Sequence, residues 1–380
     1  MRIGVMLRHI QEKGGIVTYT KNLLKSLIPL SPQHEFALLY NNSELLGTYS
    51  RYPNVAEHVL SAKNKFLWDQ WAVPRAAKAL GIDVIINPKL SIPLWGPQSN
   101  ILVLRPEQFV HPELFKPLDR QYFKIFMPLY CGRADRILVP ARKAAEDVVR
   151  YIRGATAEKT VWVHEGCGDH FFLPPPSADE LEAVRRRYGL PQRYVLFVGG
   201  INPLKNFTRL VEAFAQVRQR HDIPLVVVGF KRWAFEKDVA FAKNHEVSSH
   251  IQFPGYVPDE DMPHIYRMAT VLFLPSIYEG FGIPVTEAFA CDCPVVTSTT
   301  GSSPEVAGGA ALLVDPFDVD DMARGLELVL SNEGLRQELI EKGHSRAPEF
   351  RFERCARQTL QVIEQLAPGP RQTSSQKPLA

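Results

Sequence analysis

Val271-Leu272-Phe273-Leu274-Pro275-Ser276-Ile277-Tyr278-Glu279-Gly280-Phe281-Gly282-Ile283-Pro284-Val285-Thr286-Glu287-Ala288 reads as a strand, a glycine loop and a helix. The apolar run within Thr270–Pro275 is short and continuous, as a strand buried on both faces is. Gly280 and Gly282 let backbone approach a ligand or take a positive φ. Pro284 suits the first turn of a helix over Pro284–Ala290. That placement leaves backbone amides between Phe281 and Val285 free. Together with the helix dipole they form an anion site able to hold a phosphate without a metal. Glu279 precedes the helix and Glu287 sits on its first turn.

The same alternation extends in both directions. In the second half, strands are expected at Tyr194–Val198, Leu225–Gly229, Ile251–Phe253 and Pro294–Ser298, with helices at Phe207–Arg220 and Asp259–Ala269. In the first half, residues 2–7 form a strand. The pair Gly14-Gly15 then precedes an amphipathic run with Ile16, Tyr19, Leu23, Leu24 and Leu27 at helical spacing. Further strands are expected at Phe36–Tyr40, Val84–Asn87, Ile101–Leu104 and Arg136–Val139, and helices at Trp68–Leu80, Arg120–Gly132 and Ala141–Tyr151. Strands alternating with helices predict an α/β chain, with parallel sheets covered on both faces. Phe172-Leu173-Pro174-Pro175-Pro176-Ser177 reads as a semi-rigid linker. The chain therefore reads as two Rossmann-like, doubly wound domains facing a cleft. The boundaries are 1–173 and 174–348, with a tail at 367–380 expected to be disordered. Ligands in such sheets sit outside the carboxyl ends of the strands, where the glutamate motif falls.

Composition narrows the function. At 380 residues and 45% apolar, the chain is an ordinary globular protein of about two domains. No run approaches the ~20 apolar residues of a membrane span, and the N-terminus lacks a signal-peptide layout. Five cysteines, an odd number, suggest reduced thiols in a cytosol. Cys291 and Cys293 lack the spacing of a zinc knuckle, and no metal site is expected. Residues 1–170 carry 22 Lys/Arg and 15 Asp/Glu, a net of +7, whereas residues 171–380 carry 22 and 26, a net of −4. The basic first half suits an anionic surface or acceptor, such as a bilayer face; a merely solvated surface is the competing reading. No basic block interleaved with aromatics favours nucleic acid.

Four further loops belong to the pattern. Val198-Gly199-Gly200-Ile201-Asn202-Pro203-Leu204-Lys205-Asn206 follows a strand and offers Lys205 as a point charge for phosphate. Phe253-Pro254-Gly255-Tyr256-Val257-Pro258 offers extended backbone to a base edge. Thr299 to Val306 offers hydroxyls and amides, although it also reads as a simple capped helix start. Gly14-Gly15 allows a sugar diphosphate close approach, but the full G-x-G-x-x-G fingerprint is absent, which disfavours a nicotinamide enzyme.

These pieces in this order resemble glycosyltransferase family 4, the group 1, mannosyltransferase-like retaining enzymes of GT-B fold. The resemblance spans nearly the whole chain. It includes Gly14-Gly15, Trp68-Asp69-Gln70, Ala134 to Val139, His164-Glu165-Gly166, Gly199 to Asn206, Phe253 to Val257, Pro304-Glu305-Val306 and Asp315-Pro316. It is strongest at Pro275 to Ala288, where the two glutamates form an E-x7-E motif. The resemblance implies that the first domain binds the acceptor and the second the nucleotide sugar, with a helix at 349–366 crossing back to the first domain. Glu279 would contact donor-sugar hydroxyls. Glu287 would bond the ribose, and Lys205 would neutralise the diphosphate. The amides of Phe281, Gly282 and Ile283 would orient sugar and diphosphate. Gly255, Tyr256 and Val257 would flank the base, and Gly14, Gly15, Gly199 and Gly200 would border the diphosphate.

Two departures stand out. Many relatives carry an arginine in the slot of Gly200 or of Leu204, and neither is basic here. Many also carry a histidine where this chain has Arg105-Pro106-Glu107, which places Arg105 among the expected catalytic groups. The implied function is metal-independent, cofactor-free, retaining transfer of a hexose from a GDP- or UDP-sugar to a hydroxyl of a glycan or lipid-linked acceptor, in cell-surface polysaccharide biosynthesis. The implied setting is the cytoplasm, with a peripheral contact at the inner membrane face. The helix around Tyr122-Phe123-Lys124-Ile125-Phe126-Met127 is the candidate for that contact, although an aromatic stripe is more often core. A catalytically weak or inactive sugar-nucleotide-binding protein is the alternative, and Arg105 is its basis. A glycosidase reading fails on the loop and helix start between the two glutamates.

Overall fold

The structure, a computed structural model, describes residues 1–12, 14–229 and 235–366. The tail expected at 367–380 lies outside the described residues. Seven strands form the first sheet: β1 (Arg2–Met6), β2 (Glu35–Tyr40), β3 (Val55–Val59), β4 (Val84–Asn87), β5 (Ser99–Val103), β6 (Arg136–Val139) and β7 (Thr160–Trp162). Their spatial order is β3-β2-β1-β4-β5-β6-β7. Six form the second: β8 (Val195–Val198), β9 (Leu225–Val228), β10 (Ile251–Gln252), β11 (Val271–Leu274), β12 (Val295–Ser298) and β13 (Leu312–Val314), in the order β10-β9-β8-β11-β12-β13. Every pairing in both sheets is parallel; Leu272 opposite Val295 and Val195 opposite Val271 set the register around β11. Apolar side chains of the central strands are buried, as helices on both faces require.

Each sheet reverses its strand order once, between β1 and β4 in the first and between β8 and β11 in the second. Such a reversal opens a crevice at the carboxyl ends of the two strands. The Lys205 loop follows β8 and the Glu279 loop follows β11, so both stand at the second sheet's crevice.

The terminal helix, Phe352–Glu364, lies on helix Gly15–Leu30 of the first half. The Phe352 ring stands 6.2 Å from that of Tyr19, and Cys355, Val362 and Ile363 join the same core as Leu23 and Leu24. The segment from Glu349 to Arg351 stays outside this helix; Pro348 and its neighbours make a short 3₁₀ turn instead.

Several expected elements are corrected. Trp68–Leu80 is two structures, a π-helical turn over Trp68–Ala72 and an α-helix over Val73–Leu80. The Val73 amide donates to the Trp68 carbonyl five residues back, while Trp68 Nε1 and the Gln70 side chain bond neighbouring loops. The helix expected from Asp259 begins only at Met262. β3, β7 and β13, together with helices Ala178–Tyr188, Val319–Ser331 and Glu333–Arg346, were not anticipated; the three strands are short sheet edges with no period to read. The aromatic stripe is divided: Met127, Tyr130 and Cys131 are core, whereas Leu118, Ile125 and Leu129 are exposed. All five cysteines are buried and unpaired. Among the described residues no helix is long and apolar enough to cross a membrane.

Candidate active site

The Lys205 loop is shaped by backbone. Gly199 leaves β8 with φ +148°, and a Cβ on Gly229, at the end of β9, would overlap the Gly199 carbonyl oxygen. Gly229 is therefore a glycine for its neighbour's sake. The Asn202 side chain accepts from the Leu204 amide at 3.0 Å and starts a single 3₁₀ turn, Pro203–Lys205. Asn206 then takes φ +57° and donates to the carbonyls of Pro275 (3.1 Å) and Pro316 (2.6 Å). The Ile277 amide donates to the Leu204 carbonyl at 2.8 Å. These bonds fix the Lys205 loop against the Glu279 loop.

Lys205 Nζ consequently lies 2.5 Å from Glu279 Oε1, which also accepts from Ser276 Oγ at 2.6 Å. Glu279 is buried, and its carbonyl accepts from the Ser302 amide at 3.0 Å. Gly301, with φ +61°, passes so close that a Cβ there would lie 2.8 Å from that carbonyl oxygen. Gly282, with φ +100°, caps helix Ile283–Ala290 without a side-chain bond. Among the described residues no acceptor meets the amides of Phe281, Gly282 or Ile283. The expectation of free amides fails at Val285, which donates to the Gly282 carbonyl at 2.9 Å because the first turn closes on itself.

Glu287 does not join this pair. It accepts from the buried Tyr266 hydroxyl at 2.7 Å, and burial pushes its carboxyl up to about 7. Gly255 has φ +87°, Val257 is buried, and Tyr256 is 69% exposed. Gly14, with φ +126°, caps helix Gly15–Leu30, and the space beside Gly15 is open. Gly200 accepts from Asn202 Nδ2 at 2.9 Å. Among the described residues, the Lys205–Glu279 pair bonds Ser276 and no atom of the Gly14-Gly15 loop.

Arg105 comes from the loop after β5. Its guanidinium pairs with buried Glu165 and lies 5.2 Å from the Tyr19 ring centroid. Two residues on, Glu107 reaches across to the second half, where a Cβ on Gly280 would stand 2.5 Å from its Oε1. Burial raises the Glu107 carboxyl, Arg105 opposes that rise, and the Glu279 charge adds to it. Arg105 and Lys205 thus flank the two carboxylates Glu107 and Glu279, which face each other across the cleft. Gly280 is a glycine because Glu107 occupies the room a side chain needs.

A second cross-cleft contact lies at Glu305. Its carboxylate accepts from the amides of Arg142 (2.9 Å) and Lys143 (3.0 Å), at the start of helix Arg142–Tyr151, and from His164 Nε2 (2.8 Å). Burial alone would raise this carboxyl; the bonds from His164, Lys143 and Arg142 more than offset it and hold it below the usual range. Tyr278 adds a third contact, donating to Asp147 Oδ2 at 2.6 Å. Sequence reasoning did not single out Glu107, Asp147, Gly229 or Tyr266. Only Glu107 carried a signal, as part of the departing Arg105-Pro106-Glu107.

Residues 182–346 match the family described as glycosyl transferases group 1. The O-antigen chain mannosyltransferase B of Escherichia coli is 32% identical over 266 residues, which cover 68% of this chain and 68% of that protein. The chain is a group 1 glycosyltransferase. Solved structures agree on the fold of this glycosyltransferase. Sucrose-phosphate synthase from Thermosynechococcus elongatus superposes with a TM-score of 0.77 at 18% identity, covering 96% of this chain and 99% of that one. HepE from Anabaena, in complex with UDP and glucose, gives 0.75 at 15% identity, covering 96% and 100%. The two parallel sheets of the glycosyltransferase are those of the GT-B architecture.

Proposed function

We propose that this glycosyltransferase moves a hexose, with mannose as the first candidate, from a nucleotide-diphosphate sugar to a hydroxyl of a glycan or lipid-linked acceptor, with retention and without a metal. The observation that carries this is the Lys205–Glu279 pair at 2.5 Å, beside the unsatisfied amides of Phe281, Gly282 and Ile283. One cation and a set of peptide donors suit a diphosphate, and a carboxylate beside them suits sugar hydroxyls. The mannosyl and O-antigen chemistry in the name of the Escherichia coli relative supports mannose and a cell-surface polysaccharide.

In the proposed reaction the bond from the anomeric carbon to the phosphate oxygen breaks, and its electron pair leaves with the diphosphate. Lys205, the amides and the helix start stabilise the growing negative charge. The acceptor oxygen bonds to the anomeric carbon on the same face, and its proton passes to the leaving phosphate oxygen. Glu279 holds donor hydroxyls, Glu287 the ribose, Gly255 to Val257 the base, and Gly14, Gly15, Gly199 and Gly200 the diphosphate's surroundings. Closure of the lobes excludes water that would hydrolyse the donor.

Incubation with GDP-mannose or a UDP-hexose and mannose-terminated glycans should release nucleotide only when acceptor is present, with EDTA causing no loss and an α-linked product from an α-linked donor. An inverted product or EDTA-sensitive turnover would overturn the respective part. A second reading, nucleotide-sugar binding with little or no turnover, is favoured by the engagement of Arg105 with Glu165. It predicts donor binding and no nucleotide release with any acceptor.

A cytoplasmic site with peripheral membrane contact belongs to the same proposal. Helix Pro117–Arg133 exposes Leu118, Ile125 and Leu129 beside exposed Lys116, Arg120 and Lys124. An apolar stripe flanked by cations suits an anionic bilayer surface. Flotation with liposomes should require anionic lipid and should fail for Ile125→Glu.

A further inference from the structure

Glu107 brings a carboxyl of the first half to the donor loop of the second. It opens the single helical turn Glu107–Val110, which follows β5. That turn is held by packing on two sides. The Phe109 ring lies 5.8 Å from that of Phe123, in helix Pro117–Arg133, and the His111 ring lies 5.7 Å from that of Tyr278. Tyr278 is in turn tied to the first half through Asp147. The His111 amide closes the turn on the Glu107 carbonyl at 3.0 Å. The backbone beneath Glu107 is therefore fixed before any ligand arrives, as a recognition residue requires. A Cβ on Gly280 would lie 2.5 Å from Glu107 Oε1 but 3.8 Å from Oε2, so one oxygen rests on the loop and the other stands off it.

This carboxyl is short of donors. Arg105, two residues back, gives its guanidinium to Glu165 instead. Among the described residues no side chain bonds the Glu107 carboxyl, and its own amide is the donor that remains. Glu107 is only partly buried, so a ligand can reach it. Facing it, Glu279 has its Oε1 filled by Lys205 and Ser276, while among the described residues its Oε2 accepts no hydrogen bond. Removing such a carboxyl from water is costly unless a ligand supplies the missing donors. Burial raises the Glu107 carboxyl and the Glu279 charge adds to the rise, which shows how near the two groups are. A phosphate between two carboxyls would be repelled, whereas a hydroxyl can donate to one and exchange a bond with the other. The diphosphate therefore belongs with Lys205 and the free amides, and sugar hydroxyls belong with Glu107 and Glu279.

We propose that Glu107 holds a hydroxyl of the donor hexose from the first half, opposite Glu279, and so makes binding depend on the hexose as well as on the nucleotide. The inference rests on the donor reading given above and adds to it a contact from the other lobe. Glu107 and Glu279 lie in different halves, so the hexose bridges the lobes and the free nucleotide does not.

The test is isothermal titration calorimetry of wild type, Glu107→Gln and Glu107→Ala with GDP, GDP-mannose, UDP and UDP-glucose. The quantity read is the affinity for the sugar nucleotide divided by that for its own nucleotide. This ratio should fall at least about tenfold in Glu107→Ala and about threefold or more in Glu107→Gln, which keeps a shorter-range polar contact without the charge. Affinity for the bare nucleotide should not weaken in either variant, which also shows that both fold. Ratios equal within about twofold in all three proteins would overturn the contact while leaving the donor reading intact. Equal losses for nucleotide and sugar nucleotide would also overturn it, since they would assign Glu107 to the shape of the loop. Failure of all four compounds to bind wild type would end the donor reading and this contact with it.

Discussion

Lys205 and Glu279, 74 positions apart, meet at 2.5 Å because the loops after β8 and β11 are stitched together by Asn206 and Ile277. Without ligand each charge satisfies the other. A bound donor would draw Lys205 toward its diphosphate and leave Glu279 to the sugar. Replacing Lys205 with Ala should lower kcat by roughly 100- to 1,000-fold, the usual effect of removing one stabiliser of developing charge. Steady-state kinetics with a saturating donor check this; a loss confined to KM would assign Lys205 to ground-state binding alone.

Gly280→Ala should disable the enzyme without unfolding it. The new Cβ would stand 2.5 Å from Glu107 Oε1, so either Glu107 moves or the loop does. Turnover should fall at least about tenfold, and Glu107→Ala in the same chain should restore part of it by opening the space. Additive losses would refute the proposed steric coupling.

Glu287 makes stability fall as pH rises. Its carboxyl is raised by burial to about 7, so the native state keeps a proton that the unfolded chain releases near 4.5. The native state binds more protons across that window, and stability declines from about pH 4.5 to about pH 7, by roughly 3 kcal/mol in all. Denaturant titrations at pH 5 and pH 7 should show this decline in wild type and a smaller one in Glu287→Gln. The same variant should bind donor about tenfold more weakly if the ribose assignment holds.

His9 acts in the opposite direction, in the other lobe. Burial, aided by the charges of Lys89, Arg8 and Arg105, lowers its imidazole to about 3. The unfolded chain takes up a proton below about 6.5 and the native state does not. Stability is therefore lost as pH falls from about 6.5 toward 3, by up to roughly 5 kcal/mol. Thr20 Oγ1, which donates to the Ile16 carbonyl, takes the His9 Nε2 proton at 3.0 Å. His9→Gln preserves a donor there and should flatten the loss between pH 6.5 and pH 4. Parallel unfolding curves for variant and wild type would remove His9 as the cause.

Glu305→Ala should loosen the two lobes. It leaves two helix-start amides and His164 without their acceptor, which costs about 1–3 kcal/mol. A lower melting temperature and a larger radius of gyration by small-angle scattering are expected. Since the bonds from His164, Lys143 and Arg142 hold Glu305 below the usual carboxylate range, its contribution is complete above that range and disappears as pH falls through the lowered value. An unchanged radius of gyration at pH 7 would show that the contact does not govern lobe spacing.

Much of the site could be read without coordinates. Lys205 and Glu279, with the glycines beside them, lie on two loops, each after an apolar run that reads as a buried strand, and Glu287 lies on the helix that follows the second loop. What those residues touch was not legible. Glu287 gave no sign of Tyr266, nor Gly280 of Glu107, nor Gly229 of the Gly199 carbonyl. The Trp68–Ala72 turn escaped detection because π and α turns share side-chain periodicity over five residues; only the bonds drawn by Trp68 and Gln70 distinguish them.

The amino-acid order alone determined two parallel α/β halves, a proline-rich join between them and a lysine and a glutamate on loops at strand ends. These are local properties, set by apolar periodicity and by where glycine and proline permit the backbone to turn. Tertiary structure alone decided that Arg105 is held by Glu165, that Glu107 crosses to the second half and that Arg8 faces Asp69 without a hydrogen bond. Those are contacts between residues 60 to 173 positions apart, two within the first lobe and one between the lobes, and no local propensity encodes them.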